Sequence, residues 1–148
     1  MANGQGTDPF TAFRFKVEID GLIEAGFSEC SGLQVETELE EVREGGVNEF
    51  IHRLPKASKH VNLSLKHGIT ASDVLWNWQK DVVSGKVQRK TVNVLLLDMQ
   101  GQETWRWSFQ NAYPVKWVGP ELKADGSAVA IETIELAHNG FDAKITKR

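Results

Sequence analysis

Few residues in this sequence have the types and spacing that catalysis or metal binding requires. The histidines at 52, 60, 67 and 138 form no close His-x-x-His pair, and Cys30 is the one cysteine. Zinc sites are recognised from closely spaced Cys and His ligands. No serine lies in a nucleophile elbow, and no glycine-rich loop that could hold a phosphate follows a predicted strand. The sequence therefore predicts no catalytic residue, no cofactor and no metal site.

One row of carboxylates could carry chemistry. Glu36, Glu38 and Glu40 alternate with Val35, Thr37 and Leu39, so they lie on one face of a predicted strand. Such a face could bind a cation or transfer protons, although a solvated strand face is the commoner arrangement. A third interpretation is an acidic surface that faces a channel.

Composition and charge narrow the class of protein. The chain has 148 residues, with 41% hydrophobic and 25% charged residues, as expected for one globular domain. Its net charge of −3 argues against nucleic acid as the main partner. A single cysteine excludes an intrachain disulfide. The polar N-terminus lacks the features of a signal peptide, so we expect assembly in the cytoplasm.

The elements that must position these residues are mostly strands. Apolar and polar residues alternate with period two in most of the chain. Asp20-Gly21 is a strong hairpin signal, and Pro114 suits an edge or a bulge better than a central strand. Residues 55–59 are predicted to be a polar connection. The predicted strands cover about residues 13–19, 22–30, 35–40, 48–54, 61–66, 92–97, 104–110, 113–118 and 131–136.

One segment has helical spacing. Residues 70–73 offer N-cap chemistry, and Gly85 suits the position just past the end of a helix. Leu75, Trp78 and Val82 lie near one face at three- and four-residue spacing, so we expect them to dock a helix of about residues 72–84 on the sheet.

These elements predict a mainly β fold. We expect an antiparallel β-barrel or sandwich with one packed α-helix at about residues 72–84. The predicted organisation is a flexible N-terminal arm over residues 1–11, a single β-barrel domain over 12–140, and a basic C-terminal tail over 141–148.

Several strings of residues resemble a known family when they are taken in order. They are Phe15–Gly21 (FKVEIDG), Gly26–Leu33 (GFSECSGL), Arg43–Gly46 (REGG), Leu65–Gly68 (LKHG), Trp107–Pro114 (WSFQNAYP) and Ala130–His138 (AIETIELAH). Together they resemble the tail tube proteins of contractile phages. They are most similar to the inner tube proteins of phage-tail-like extracellular contractile injection systems. The resemblance covers about Phe10 to Gly140, and Lys56 stands where many relatives have glycine.

The resemblance implies a structural protein and no enzyme. Six copies would form a ring, and rings would stack into a hollow tube inside a contractile sheath, with baseplate and cap proteins at its ends. Contraction would drive the tube through a target membrane, with protein cargo in the lumen. Nucleic acid would be involved only in a phage tail. The particle would be assembled in the cytoplasm and function as a virion tail or after release from the cell.

The resemblance also implies two surfaces. A hairpin between Val42 and Lys59 would reach the neighbouring ring, and the carboxylates Glu36, Glu38 and Glu40 are the candidate lumen face. The predicted ring-stacking residues are Arg43, Glu44, Gly45, Gly46, Asn48, Glu49, Phe50, Ile51 and Arg53.

Two alternatives remain open from the sequence. Within the tube class, a phage tail tube or a type VI secretion tube would carry the same pattern. In a different class, a lipocalin-like barrel would use its five tryptophans to line a ligand cavity.

Overall fold

The structure, a computed structural model, describes residues 9–11, 14–24, 26–43 and 51–146. Within them ten strands and one helix form, in a mainly β, antiparallel fold. The elements are β1 (Phe15–Ile19), β2 (Leu22–Glu24), β3 (Phe27–Ser31), β4 (Val35–Arg43), β5 (Ile51–His60), β6 (Leu63–Gly68), α1 (Val74–Val83), β7 (Lys90–Leu97), β8 (Glu103–Val118), β9 (Ile131–Ala137) and β10 (Phe141–Ile145).

Eight strands form one continuous sheet that folds over on itself. Its order is β2-β1-β7-β8-β9-β6-β3, with β10 paired to β8. In the described part of the chain the end strands β2 and β3 do not pair, so the sheet forms an open sandwich and no closed barrel. The predicted antiparallel sandwich with one packed helix is therefore confirmed.

The fold-over occurs in β8, which has 16 residues. Its first half pairs with β7 and β10, and its second half pairs with β9. At the bend, Asn111 has a φ of 53°. Pro114 lies beside a bulge in the pairing with β9, as its missing N–H requires.

The core fills the space between the two layers. Phe109 and Val17 from one layer meet Leu63, Ile134 and Leu136 from the other, and all five are fully buried. β7 is buried on both faces, because Leu95 and Leu97 are buried on the side opposite Val92 and Val94.

Helix α1 packs on this core through Leu75 and Trp78, while Val82 is half-buried. The indole Nε1 of Trp78 donates a 2.8 Å hydrogen bond to the carbonyl of Gln88. Asp73 is the N-cap residue but makes no side-chain capping hydrogen bond. Gly85, with a φ of 95°, follows the last turn and donates to the carbonyl of Val82.

Three features differ from the sequence prediction. The predicted polar connection at residues 55–59 is wrong, because these residues belong to β5. The predicted strand over residues 22–30 is split at Gly26, which has a φ of 87° and carries the chain from one layer to the other. Residues 141–148 were expected to form a tail, but Phe141–Ile145 form β10 against β8.

No helix in the described ranges is long and apolar enough to cross a membrane.

Gly32 and Gly21 provide a test of backbone constraint. Both have a positive φ, 104° and 80°, which costs a residue with a Cβ about 1–2 kcal/mol. At Gly32 a Cβ would also collide with the carbonyl oxygen of Asn62, whereas at Gly21 it would meet nothing within 4 Å. We expect Gly32→Ala to lower the free energy of unfolding in urea well beyond the loss in Gly21→Ala. Equal losses would show that β3 can shift away from β6 without cost.

Candidate assembly surface

The most unusual surface belongs to strands β4 and β5, which form a two-stranded sheet of their own. The ribbon, defined here as Val35–Arg43 paired with Ile51–His60, has strands of 9 and 10 residues. In the described residues neither strand pairs with the eight-stranded sheet. An isolated two-stranded hairpin is at best marginally stable in water. Among the described residues the ribbon therefore lacks the packing that a long hairpin needs.

A bulge interrupts the ribbon at its middle. Thr37 pairs with Ser58 and Leu39 pairs with Pro55, so Glu38 alone faces two residues of β5, Lys56 and Ala57. A bulge adds twist and tolerates proline, which explains how Pro55 fits inside a strand. Lys56, the departure from the family pattern, lies in this bulge.

Apolar side chains are exposed on both faces of the ribbon. Leu39 is 53% exposed on one face, and Leu54, whose partner is Glu40, is 49% exposed on the other. Val35 and Val42 are exposed as well. Exposed apolar side chains that follow one another along a single element are typical of a protein–protein interface.

The predicted lumen carboxylates lie on this ribbon. Strand alternation places Glu36, Glu38 and Glu40 on one face of β4. Lys59 is paired with Glu36, and its Nζ lies 3.5 Å from Glu38 Oε1. The face is acidic but partly neutralised by this lysine.

Of the predicted ring-stacking residues, the described ones, Arg43, Ile51 and Arg53, lie at the far end of the ribbon. Residues 44–50 of that set are outside the described residues. The backbones of Arg43 and Ile51 form the last described pair. Arg53 is exposed, with its Nε 3.8 Å from Glu41 Oε1.

A cleft of about 310 Å³ opens where the two layers of the sandwich diverge. It has β3 on one side and β1, β7 and β8 on the other. Its lining residues are Phe15, Ser28, Glu29, Cys30, Leu33, Val94, Leu96 and Trp107. Burial raises the pKa of the Cys30 thiol to about 11, so this cysteine is a poor nucleophile at neutral pH.

The tryptophans do not share a ligand cavity. Trp78 is in the core, and the rings of Trp105 and Trp107 stack at 5.8 Å on β8. Trp76 packs on Trp117, with 4.8 Å between ring centroids. Of the five, Trp107 lines the cleft. The arrangement gives no support to a lipocalin-like binding site.

A buried polar network joins one layer of the sandwich to the helix. Glu132 Oε1 accepts a 2.7 Å hydrogen bond from Trp117 Nε1, and Glu132 Oε2 lies 3.1 Å from His67 Nδ1. Phe27 packs on the His67 ring at 4.7 Å, and Trp76 of α1 packs on Trp117. The network thus ties β3, β6, β9, β8 and α1 together.

Sequence reasoning missed this network, although a signal was present. Glu132 is in phase with the buried Ile134 and Leu136 on β9, and His67 is in phase with the buried Leu63 and Leu65 on β6. A polar residue in the buried phase of each of two strands predicts a buried pair, provided that the strands are neighbours.

The described side chains include no group of three or more His, Cys, Asp or Glu residues placed to hold a metal ion. The features that the structure does bring together are an unpartnered ribbon, an apolar cleft and a rigid sandwich. These are the features of a subunit that packs against other protein chains.

A comparison with protein families decides the identity of the fold. The family model described as T4-like virus tail tube protein gp19 matches residues 11–142, most of the 148-residue chain. The chain belongs to the T4-like virus tail tube protein family. The resemblance inferred from the sequence is therefore confirmed, and this family consists of structural tube proteins.

Solved structures agree with this membership. A chain of the extended-state sheath–tube complex of the extracellular contractile injection system PVC superimposes with a TM-score of 0.87, at 22% identity, covering 95% of each chain. A chain of the 6-fold symmetrised anti-feeding prophage (AFP) baseplate has a TM-score of 0.80 and 25% identity, covering 93% of this tube protein and 97% of that chain.

Other solved structures share the fold to a lesser degree. Hcp1 from Flavobacterium johnsoniae superimposes with a TM-score of 0.56 and 14% identity, covering 90% of this chain and 98% of that one. A comparison with curated protein sequences finds no significant match.

Glu132 and Glu135 provide a matched test of the buried network. Glu132→Ala should lower the free energy of unfolding by about 3–5 kcal/mol, the usual loss when one partner of a buried pair is removed. Glu135 lies on the opposite face of β9, 3.7 Å from Lys116 Nζ, so Glu135→Ala should cost about 0–1 kcal/mol. Urea denaturation measures both. A small loss for both variants would contradict a structural role for the network.

Proposed function

We propose that this protein is the inner tube subunit of a phage-tail-like extracellular contractile injection system. Six copies form a ring, and rings stack into a hollow tube. The proposal rests on family membership and on the high structural similarity to chains in the PVC and AFP particles. The lower similarity to Hcp1 favours this class over a type VI secretion tube.

The ribbon is the structural feature that most strongly supports the proposed assembly. A two-stranded sheet with apolar residues exposed on both faces gains packing only if another chain covers it. Identical subunits joined head to tail bury such an element in a contact that closes into a ring or continues along a tube. Open edges at β2, β3 and β10 are covered by the same assembly, which removes an aggregation risk.

The partners follow from the particles in which similar chains occur. The similar structures are a sheath–tube complex, a baseplate and a tube-terminating cap. We infer that this tube is enclosed by a sheath protein and bounded by baseplate and cap proteins. Sheath contraction then drives it through the membrane of a target cell, with protein cargo in the lumen.

The lumen face is proposed to be the face of β4 that carries Glu36, Glu38 and Glu40. Three carboxylates against Lys59 and Lys56, which both lie beside Glu38, leave each subunit with a small acidic excess on this face. Six copies would line the channel with negative charge, which repels acidic cargo and lets neutral or basic cargo move. A tube reconstruction that places these carboxylates on the outer wall would refute this assignment.

Ribbon substitutions test whether the ribbon is the assembly surface. We expect Leu39→Asp combined with Val35→Asp, two positions on the face of β4 opposite the carboxylates, to prevent the rings and tubes that wild-type protein forms in negative-stain electron microscopy. Both side chains are exposed in the single subunit, so its thermal stability should change little. The loss arises because each new carboxylate would be buried without a partner in the interface.

The matched control for this variant is Val83→Asp. Val83 at the end of α1 is 78% exposed and lies outside the ribbon. This control should assemble as the wild type does. Normal tubes from the ribbon variant, or a stable wild-type monomer at high concentration, would overturn the proposed assembly.

The ribbon tip provides a separate prediction about stacking. Shortening the loop around Gly45-Gly46 should leave rings intact and prevent tube growth, because polar contacts repeated six times around a ring add up to a stable junction. Native mass spectrometry counts the ring subunits, and electron microscopy measures tube length. Long tubes from the shortened variant would assign stacking to another segment.

A further inference from the structure

The ribbon meets the body of the subunit at a cluster of four rings. His60, the last residue of β5, lies 5.6 Å from His138 and 6.0 Å from Phe141, measured between ring centroids. His138 in turn lies 4.8 Å from Phe109, which is fully buried. One end of the ribbon is therefore joined to the sandwich through two adjacent imidazoles.

Hydrogen bonds fix His138 in its neutral form. Its Nε2 donates to the carbonyl of Val61 at 3.0 Å, and its Nδ1 accepts from the backbone N–H of Gly140 at 3.0 Å. An Nδ1 that accepts a hydrogen bond must be unprotonated. Val61 directly follows β5, so this histidine ties the exit of the ribbon to the turn between β9 and β10.

His60 is held by packing and not by a polar partner. Its Nδ1 is buried without a hydrogen-bond partner. A Cβ at Gly140 would come within 3.2 Å of its Nε2, so the turn lies directly against the ring. A charge placed on this imidazole would be poorly solvated.

No other charged group at the cluster offsets such a charge in the described structure. Lys59 points to the opposite face of β5 and pairs with Glu38. Asp142 points away from the cluster, since it alternates with Phe141 along β10. Of the titratable groups around His138, the one whose charge acts on it is His60.

We propose that this cluster is an acid-sensitive joint, at which protonation of His138 in mildly acidic solution releases the ribbon from the body of the subunit. Protonation at Nδ1 of His138 removes the acceptor of the Gly140 N–H. The His60 ring, 5.6 Å away, supplies no counter-charge to the new imidazolium. The ribbon has little packing of its own, so it loses order before the sandwich does.

The direction of the pH dependence follows from the environment of His138. Burial lowers the pKa of His138, and the His60 charge acts in the same direction, while the hydrogen bond to Val61 opposes them. A folded pKa below the ordinary value of about 6.5 means that the released state binds the proton more readily. Stability of the joint is therefore complete above about pH 6.5 and is lost as the pH falls through the folded pKa of His138.

Hydrogen–deuterium exchange with mass spectrometry tests the joint directly. We expect amides of β4 and β5 to lose protection several-fold between pH 7.5 and 5.5, after correction for intrinsic exchange rates, while amides of β7 in the same sample stay protected. The measurement concerns order within one subunit, so its outcome is independent of whether the subunits form tubes.

Histidine variants distinguish acid release of this joint from a general loss of order in acid. His138→Gln removes the charge and keeps polar atoms near Val61 and Gly140, and His60→Phe replaces the unpartnered imidazole by a ring. His138→Gln should keep the ribbon protected at pH 5.5, whereas His60→Phe, which leaves His138 in place, and His52→Gln, an exposed position on β5, should respond as the wild type does. An unchanged wild-type ribbon at pH 5.5, or a folded His138→Gln variant that loses protection as the wild type does, would overturn the proposal.

Discussion

The bend in β8 is the constraint on which the rest of the molecule depends. One strand of 16 residues supplies a partner to β7 and β10 in one layer and to β9 in the other. The two layers therefore cannot slide apart without breaking this strand. The bend also aligns β9 and β10 along β8. At the turn between them, the N–H of Gln110 donates to the carbonyl of Gly140, and the N–H of Asn139 donates to the carbonyl of Gln110. Every other element is positioned relative to this corner.

That rigidity has a functional consequence. A tube under sheath contraction must transmit force without unfolding its subunits, and a core between two layers joined by one continuous strand resists shear. The ribbon has the opposite character, because its apolar side chains are exposed and its pairing is confined to two strands. Its order must come from its root and from neighbouring chains. The subunit thus combines a sandwich with its own buried core and a ribbon whose apolar side chains are exposed.

Local signals predicted the parts of the fold that local physics determines. Alternation located β1, β7 and β9, and the spacing of Leu75 and Trp78 located the helix. The long-range features were not accessible in this way. Pro55 is tolerated because a bulge removes the need for its N–H, and β10 forms on the edge of the first half of β8 that β7 leaves open. Alternation also predicted strands over residues 35–40 and 48–54, and the described structure extends this pair to Arg43 and His60.

The buried polar groups explain why the interior is not simply apolar. Apolar side chains of similar volume in place of Glu132, His67 and Trp117 would fill the core equally well. They would also avoid the cost of removing polar groups from water. The polar network adds specificity for one strand register. Each oxygen of the Glu132 carboxylate has its own partner, and the two partners come from different strands. The register of β6, β9 and the end of β8 is thereby fixed at one value. A repeating tube needs this property, since a register error of one residue in a single subunit would be copied into the geometry of its contacts.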